Sequence, residues 1–116
     1  MKNYSVRKTE KLLGELDTCR NTLDYLLSLS KTPLPLSKAE TVRRRIRYLS
    51  RTLEAVEHAL GLLDPLERTI IEQFFFHRSS ERSVDDICAM CTLEKSSVYR
   101  YRARALARMA AALYGG

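Results

Sequence analysis

Tryptophan is absent, and proline and glycine number only three and four among 116 residues. With so few breakers, and with Leu, Ala, Arg and Glu abundant, the chain favours helix over strand. The three cysteines are an odd number, which argues against a disulfide framework and fits a reducing cytosol. No run approaches the roughly 18 apolar residues needed to span a bilayer, so no membrane partner is expected. Met1 to Lys11 lacks an apolar core leading to a small-residue cleavage site, so no secretory signal is expected and a cytoplasmic location follows. Repeats and low-complexity segments are absent too.

Acidic residues are missing altogether after Glu94, where Lys95, Arg100, Arg102, Arg104 and Arg108 remain. A second basic block, Arg43, Arg44, Arg45, Arg47 and Arg51, lies mid-chain, and residues 54 to 86 between the blocks are net acidic. The net charge of +6 is therefore segregated, which points to a polyanionic partner. A hydrophobic fraction of 45% is that of a folded domain, not a disordered chain.

The apolar residues repeat at helical spacing. Leu12, Leu16, Cys19, Leu23 and Leu26, widened by Leu13 and Leu27, predict one amphipathic helix over Tyr4 to Leu29. Pro33 and Pro35 end it within the connector Lys31 to Leu36. Ser37 is the expected N-cap of the next helix, with Glu40 completing a capping box. Val42, Ile46, Leu49, Leu53, Val56, Leu60 and Leu63 then alternate steps of four and three, a coiled-coil pattern. Neither helix can bury its stripe alone, so an antiparallel hairpin over residues 1–62 is expected. Arg43, Arg44, Arg45, Arg47 and Arg51 then either lie on the wet face, pair with Asp17 or Asp24, or form a secondary phosphate-binding patch.

Asp64-Pro65-x-Glu67 marks a further helix start, with Asp64 as N-cap and Pro65 at the first helical position. Leu66, Ile70, Ile71, Phe74 and Phe75 give it an apolar face. Phe74 to Phe76 reads as core, although a triplet cannot all face inward on one helix, leaving Phe75 or Phe76 to cover the hairpin or a partner subunit. The polar stretch His77 to Arg82 ends the helix. Ser83 is expected to cap a short helix, with Asp86 at the box position. A last basic helix spans Lys95 to Tyr114 and stops at Gly115-Gly116. A short helix, a tight turn and a longer basic helix are the layout of a helix-turn-helix. Val98, Ala105, Leu106, Met109 and Leu113 would pack inward, leaving Ser96, Tyr99, Arg100, Ala103 and Ala107 outward.

The stretch Asp86-Ile87-Cys88-Ala89-Met90-Cys91-Thr92-Leu93-Glu94-Lys95-Ser96-Ser97-Val98, followed by Arg104-Ala105-Leu106 and Met109, resembles without gaps the helix-turn-helix of sigma-70 region 4. Leu63-Asp64-Pro65-Leu66-Glu67-Arg68 is similar to the preceding helix of that family, so the likeness covers about residues 63 to 113. The hairpin in front is similar to that of small phage- and prophage-encoded regulators of the same superfamily. The chain departs from the pattern at Thr92, where Gly is common; at Glu94, where Ser or Thr usually caps; and at Arg102, where an apolar residue is usual. The resemblance implies base contacts from Lys95, Ser96, Tyr99 and Arg100, and phosphate contacts from Ser97, Arg104 and Arg108, the last two also suited to intramolecular pairing.

Together these readings predict an all-α chain: the hairpin of residues 1–62, for oligomerisation or partner contact, then a three-helix DNA-binding unit over residues 63–116. The expected function is sequence-specific binding of double-stranded DNA in transcriptional regulation, of phage or prophage type. Homodimerisation through the hairpin and contact with RNA polymerase are both compatible with the pattern. Two other readings stand beside it: a module binding polymerase or a phage assembly partner, and a DNA-packaging protein similar to a terminase small subunit. Catalysis is not expected, because no Ser/His/Asp set, paired carboxylates or phosphate loop is present. Cys88 and Cys91 form a CxxC without a second CxxC or a nearby histidine, so no metal or cofactor is expected.

Overall fold

The computed structural model describes residues 4–76 and 84–115. They form an all-α fold of six helices: α1 (Tyr4–Gly14), α2 (Leu16–Leu29), α3 (Leu36–Gly61), α4 (Pro65–Phe75), α5 (Val84–Cys91) and α6 (Lys95–Tyr114). The expected single N-terminal helix is broken at Glu15, whose φ of −104° and ψ of 2° leave the helical region. Gly14, a weak helix former just before Glu15, lowers the cost of a break there. The break lets the two halves serve different neighbours. α1 packs on α6, whereas α2 packs on α3.

The start of α3 also differs from expectation. It begins at Leu36, one residue before Ser37, and Pro35 occupies the N-cap position. With φ fixed near −55°, Pro35 delivers the chain into the helix and its carbonyl accepts from Ala39 at 2.9 Å. Ser37 lies inside the first turn, its carbonyl accepting the Thr41 hydroxyl, so no Ser37–Glu40 capping box forms. The Asp64 box does form: the Asp64 N–H donates to Glu67 Oε1 at 3.0 Å, with Pro65 at the first helical position. Ser83, His77 to Arg82 and Gly116 lie outside the described residues. Gly115 adopts φ 79° and donates to the Ala111 carbonyl, closing α6 in the conformation glycine favours.

Three apolar clusters hold the helices. The main core joins Leu13 and Leu16 to Val56, Ala59, Leu60 and Leu63, to Ile71 and Phe75, and to Ala105, Leu106 and Met109. It thus draws on residues either side of position 62. Leu26, Val42 and Leu49 form a second cluster between α2 and α3, with Cys19, Leu23 and Ile46 at its edge. A third, of Ile70, Ile87 and Val98, ties α5 to α4 and α6. The Phe74 to Phe76 triplet is accommodated because it sits between clusters: Phe75 is buried in the main core, Phe76 packs on its edge, and Phe74 touches the main and third clusters. At the junction of α3 and α4, Arg68 donates to Glu57 at 3.0 Å.

Among the described residues no helix is long and apolar enough to cross a membrane. Leu60 is fully buried whereas Leu27 is 42% exposed, so the two leucines should respond differently to truncation. Leu60→Ala should cost about 2–5 kcal/mol in urea unfolding. Leu27→Ala should change stability by no more than about 0.5 kcal/mol.

Candidate nucleic-acid interface

The unit that could meet a nucleic acid is built from α4, α5 and α6. α5 ends in a tight turn, Thr92 to Glu94, and α6 follows at once. The Leu93 N–H donates to the Cys88 carbonyl at 3.0 Å, and the Thr92 N–H to Ala89 at 3.4 Å. Those two bonds around a left-handed residue are a Schellman motif. The left-handed residue is Thr92, at φ 57°, the one non-glycine with positive φ among the described residues. A β-branched side chain is strained there. Leu93 and Cys88, the two positions whose side chains often meet in such a motif, both pack against the third cluster.

The turn fixes which face of α6 points out. Val98, Ala105, Leu106, Met109 and Ala110 are buried, and Leu113 is half-buried. Lys95, Ser96, Tyr99, Arg100, Ala103, Arg104 and Ala107 are exposed, while Ser97 is half-buried. The structure therefore gathers the four expected base readers on one open face at the N-terminal end of α6. Tyr99 is 44% exposed and leans on Phe74, the rings 6.1 Å apart and inclined at 42°, which restricts the phenol's orientation. Arg100 reaches Ser97 Oγ at 3.4 Å and keeps the rest of its donor fork open. Arg104 lies over the Tyr101 ring, 5.3 Å from its centroid. Glu94 stands at the N-cap in extended conformation without a side-chain capping bond; its carbonyl accepts the Val98 N–H at 3.0 Å.

Two arginines of α6 are engaged inside the molecule. Arg108 donates to Glu67 Oε1 at 3.0 Å and lies 3.6 Å from Asp64 Oδ2, so of its two expected roles the structure shows the intramolecular one. Glu67 is fully buried, and this guanidinium is its counter-charge. Arg102, at the position where the resemblance expects an apolar side chain, spans from α6 to α1. It donates to Glu10 Oε2 at 3.2 Å while its guanidinium covers the Phe74 and Phe75 rings at 4.9 and 5.3 Å. It thus supplies the missing apolar cover with a stacked cation. Sequence reasoning missed the Arg102–Glu10 pair because the partners are 92 residues apart and no local spacing links them.

The arginines of α3 stand elsewhere. Arg43, Arg44, Arg45, Arg47 and Arg51 are all exposed. Asp17 lies 3.9 Å from Arg20 on its own helix, and among the described residues none of the five pairs with Asp17 or Asp24. That alternative is corrected: α2 meets α3 through Leu26, Val42 and Leu49, on the side of α3 away from most of these guanidinium groups. Cys88 and Cys91 are free and half-buried. Burial first, and the neighbouring Cys88 second, push the Cys91 thiol above its ordinary value, which disfavours the reactive thiolate. Among the described residues no three His, Cys, Asp or Glu side chains converge to hold a metal ion.

Thr92→Gly should raise stability by about 0.5–1 kcal/mol, the relief of the left-handed strain less the backbone entropy that glycine adds. A lower urea midpoint for this variant would contradict the strain argument. Arg108→Ala should lower stability by about 1–3 kcal/mol, because Glu67 would keep its burial and the Asp64 N–H but lose its counter-charge.

No protein-family model matches the chain, and no curated protein or solved structure matches it either.

Proposed function

We propose that this chain is a sequence-specific regulator of transcription that binds double-stranded DNA through a helix-turn-helix formed by α5 and α6. The observation that carries the reading is the left-handed turn at Thr92, which joins a short helix to a long basic one and leaves the N-terminal outer face of that helix open. In the major groove, Lys95, Ser96, Tyr99 and Arg100 would reach base edges. Arg100, with its free donors, suits the bidentate pairing of an arginine fork with guanine O6 and N7. Ser97 and Arg104 would meet the flanking phosphates, and the smallness of Ala103 and Ala107 lets the helix sink toward the bases. Arg108 is left to hold Glu67 and keep α4 docked. The sequence resemblance to sigma-70 region 4 and to small phage regulators supports the same reading, including control of phage or prophage genes and contact with RNA polymerase. Cytoplasmic location follows from that role.

Fluorescence anisotropy with mixed-sequence and selected duplexes across a salt series tests it. Micromolar or tighter binding is expected to fall steeply as salt rises. Lys95→Ala/Arg100→Ala should retain the fold, since both side chains are exposed, and abolish discrimination between duplexes. Equal discrimination by wild type and double variant would overturn the assignment of α6 as reader.

A further inference from the structure

The arginines of α3 form a pattern that the α6 reading leaves unused. At 3.6 residues per turn, Arg43, Arg44, Arg47 and Arg51 fall within an arc of about 100° on the side of α3 opposite Val42, Leu49 and Val56. Arg43, Arg47 and Arg51 recur every four residues, a straight row about 12 Å long. Like charges at this spacing repel one another along a helix. Glu40 and Glu54 flank the row, yet among the described residues neither closes an ion pair with it. A groove of about 340 Å³ opens between Glu40, Arg43, Arg44 and Arg47 and has no apolar side chain in its lining.

We infer that this ridge is a second nucleic-acid surface, gripping phosphodiester backbone without reading sequence. A packed protein interface wants an apolar or aromatic anchor at its centre, and the groove offers none. The row is built of arginines alone, although Lys38 also lies on α3, and the guanidinium fork matches phosphate oxygens in pairs. The ridge is also remote from the α6 readers. Val42 and Leu49, behind the ridge, belong to the cluster between α2 and α3, whereas Val98, beside the readers on α6, belongs to the cluster of α4, α5 and α6. In a molecule 56 Å long, the ridge and the readers therefore stand on separate clusters and would hold different stretches of nucleic acid. The inference deepens the reading above and rests on it only for the choice of nucleic acid as partner.

The test uses the full chain and a short mixed-sequence duplex, with anisotropy followed across a salt series. Arg43→Gln/Arg44→Gln/Arg47→Gln/Arg51→Gln should weaken binding at low salt at least ten-fold on every sequence. It should also lower the slope of log affinity against log salt by about 3–4, roughly one per lost phosphate contact. Circular dichroism should show an unchanged helix content and an equal or higher melting midpoint, because like charges are relieved. If the quadruple variant does not fold, Arg47→Gln alone should lower the slope by about one. An unchanged slope in a folded variant overturns the ridge. So does displacement of the duplex by polyglutamate as effectively as by unlabelled duplex at equal charge, which would point to an acidic protein surface. The two proposals fail separately. Retained discrimination in Lys95→Ala/Arg100→Ala, with non-specific binding lost in the ridge variant, would sink the α6 reading and keep the ridge.

Discussion

The inward stripe of α6 is the constraint on which the other elements depend, because α1, α3, α4 and α5 all pack against that one helix. Val98, Ala105, Leu106, Met109 and Ala110 are almost entirely removed from water. Once that stripe is committed to the interior, the rotation of α6 about its axis is fixed, and with it the outward direction of Lys95, Ser96, Tyr99 and Arg100. The candidate interface is therefore a by-product of core packing. Its precision comes from the helices packed against α6, which is how an exposed helix face can present side chains in a reproducible register.

Polar interactions then refine what burial arranges. Glu67 accepts both the Asp64 N–H and Arg108 on one oxygen, Oε1, so the cap of α4 and the flank of α6 share one buried carboxylate. Arg102 does the same between α6 and α1, using the faces of Phe74 and Phe75 as a platform. In both places an α6 cation is paired with a carboxylate of the same molecule, so the strongly basic composition of that helix is not all available to a polyanion. Charge counted along the sequence overstates the charge presented to solvent.

Much of the fold was legible in periodicity and caps. The seam from Val42 to Leu63, the Asp64-Pro65-x-Glu67 start and the buried face of α6 all follow from spacing, because those positions answer to a local geometric rule. The break at Glu15 did not show, since Leu12, Leu13, Leu16 and Cys19 keep an unbroken helical spacing across it. What divides the helix is tertiary: Leu13 and Leu16 are wanted in the main core, while Leu26 is wanted by α3. Ser37 misled for a local reason: Pro35, two residues earlier, already sets the entry angle. Of the candidate interface, the exposed face of α6 was readable residue by residue. The withdrawal of Arg108 toward Glu67 was not, because an arginine on a helix carries no local mark of its partner.

The docking of α1 on α6 has a consequence for how the chain reaches this state. The Glu10–Arg102 pair and the contacts of Leu13 and Leu16 with Ala105, Leu106 and Met109 close a loop of some ninety residues. As the polypeptide leaves the ribosome, α2 and α3 can pair early, but Leu13, Leu16, Val56 and Leu60 stay without their covering helix until α6 has emerged. Closing so long a loop is entropically slow compared with local helix pairing. During that interval the nascent chain presents an apolar strip to the cell, and the final helix acts as the clasp that hides it.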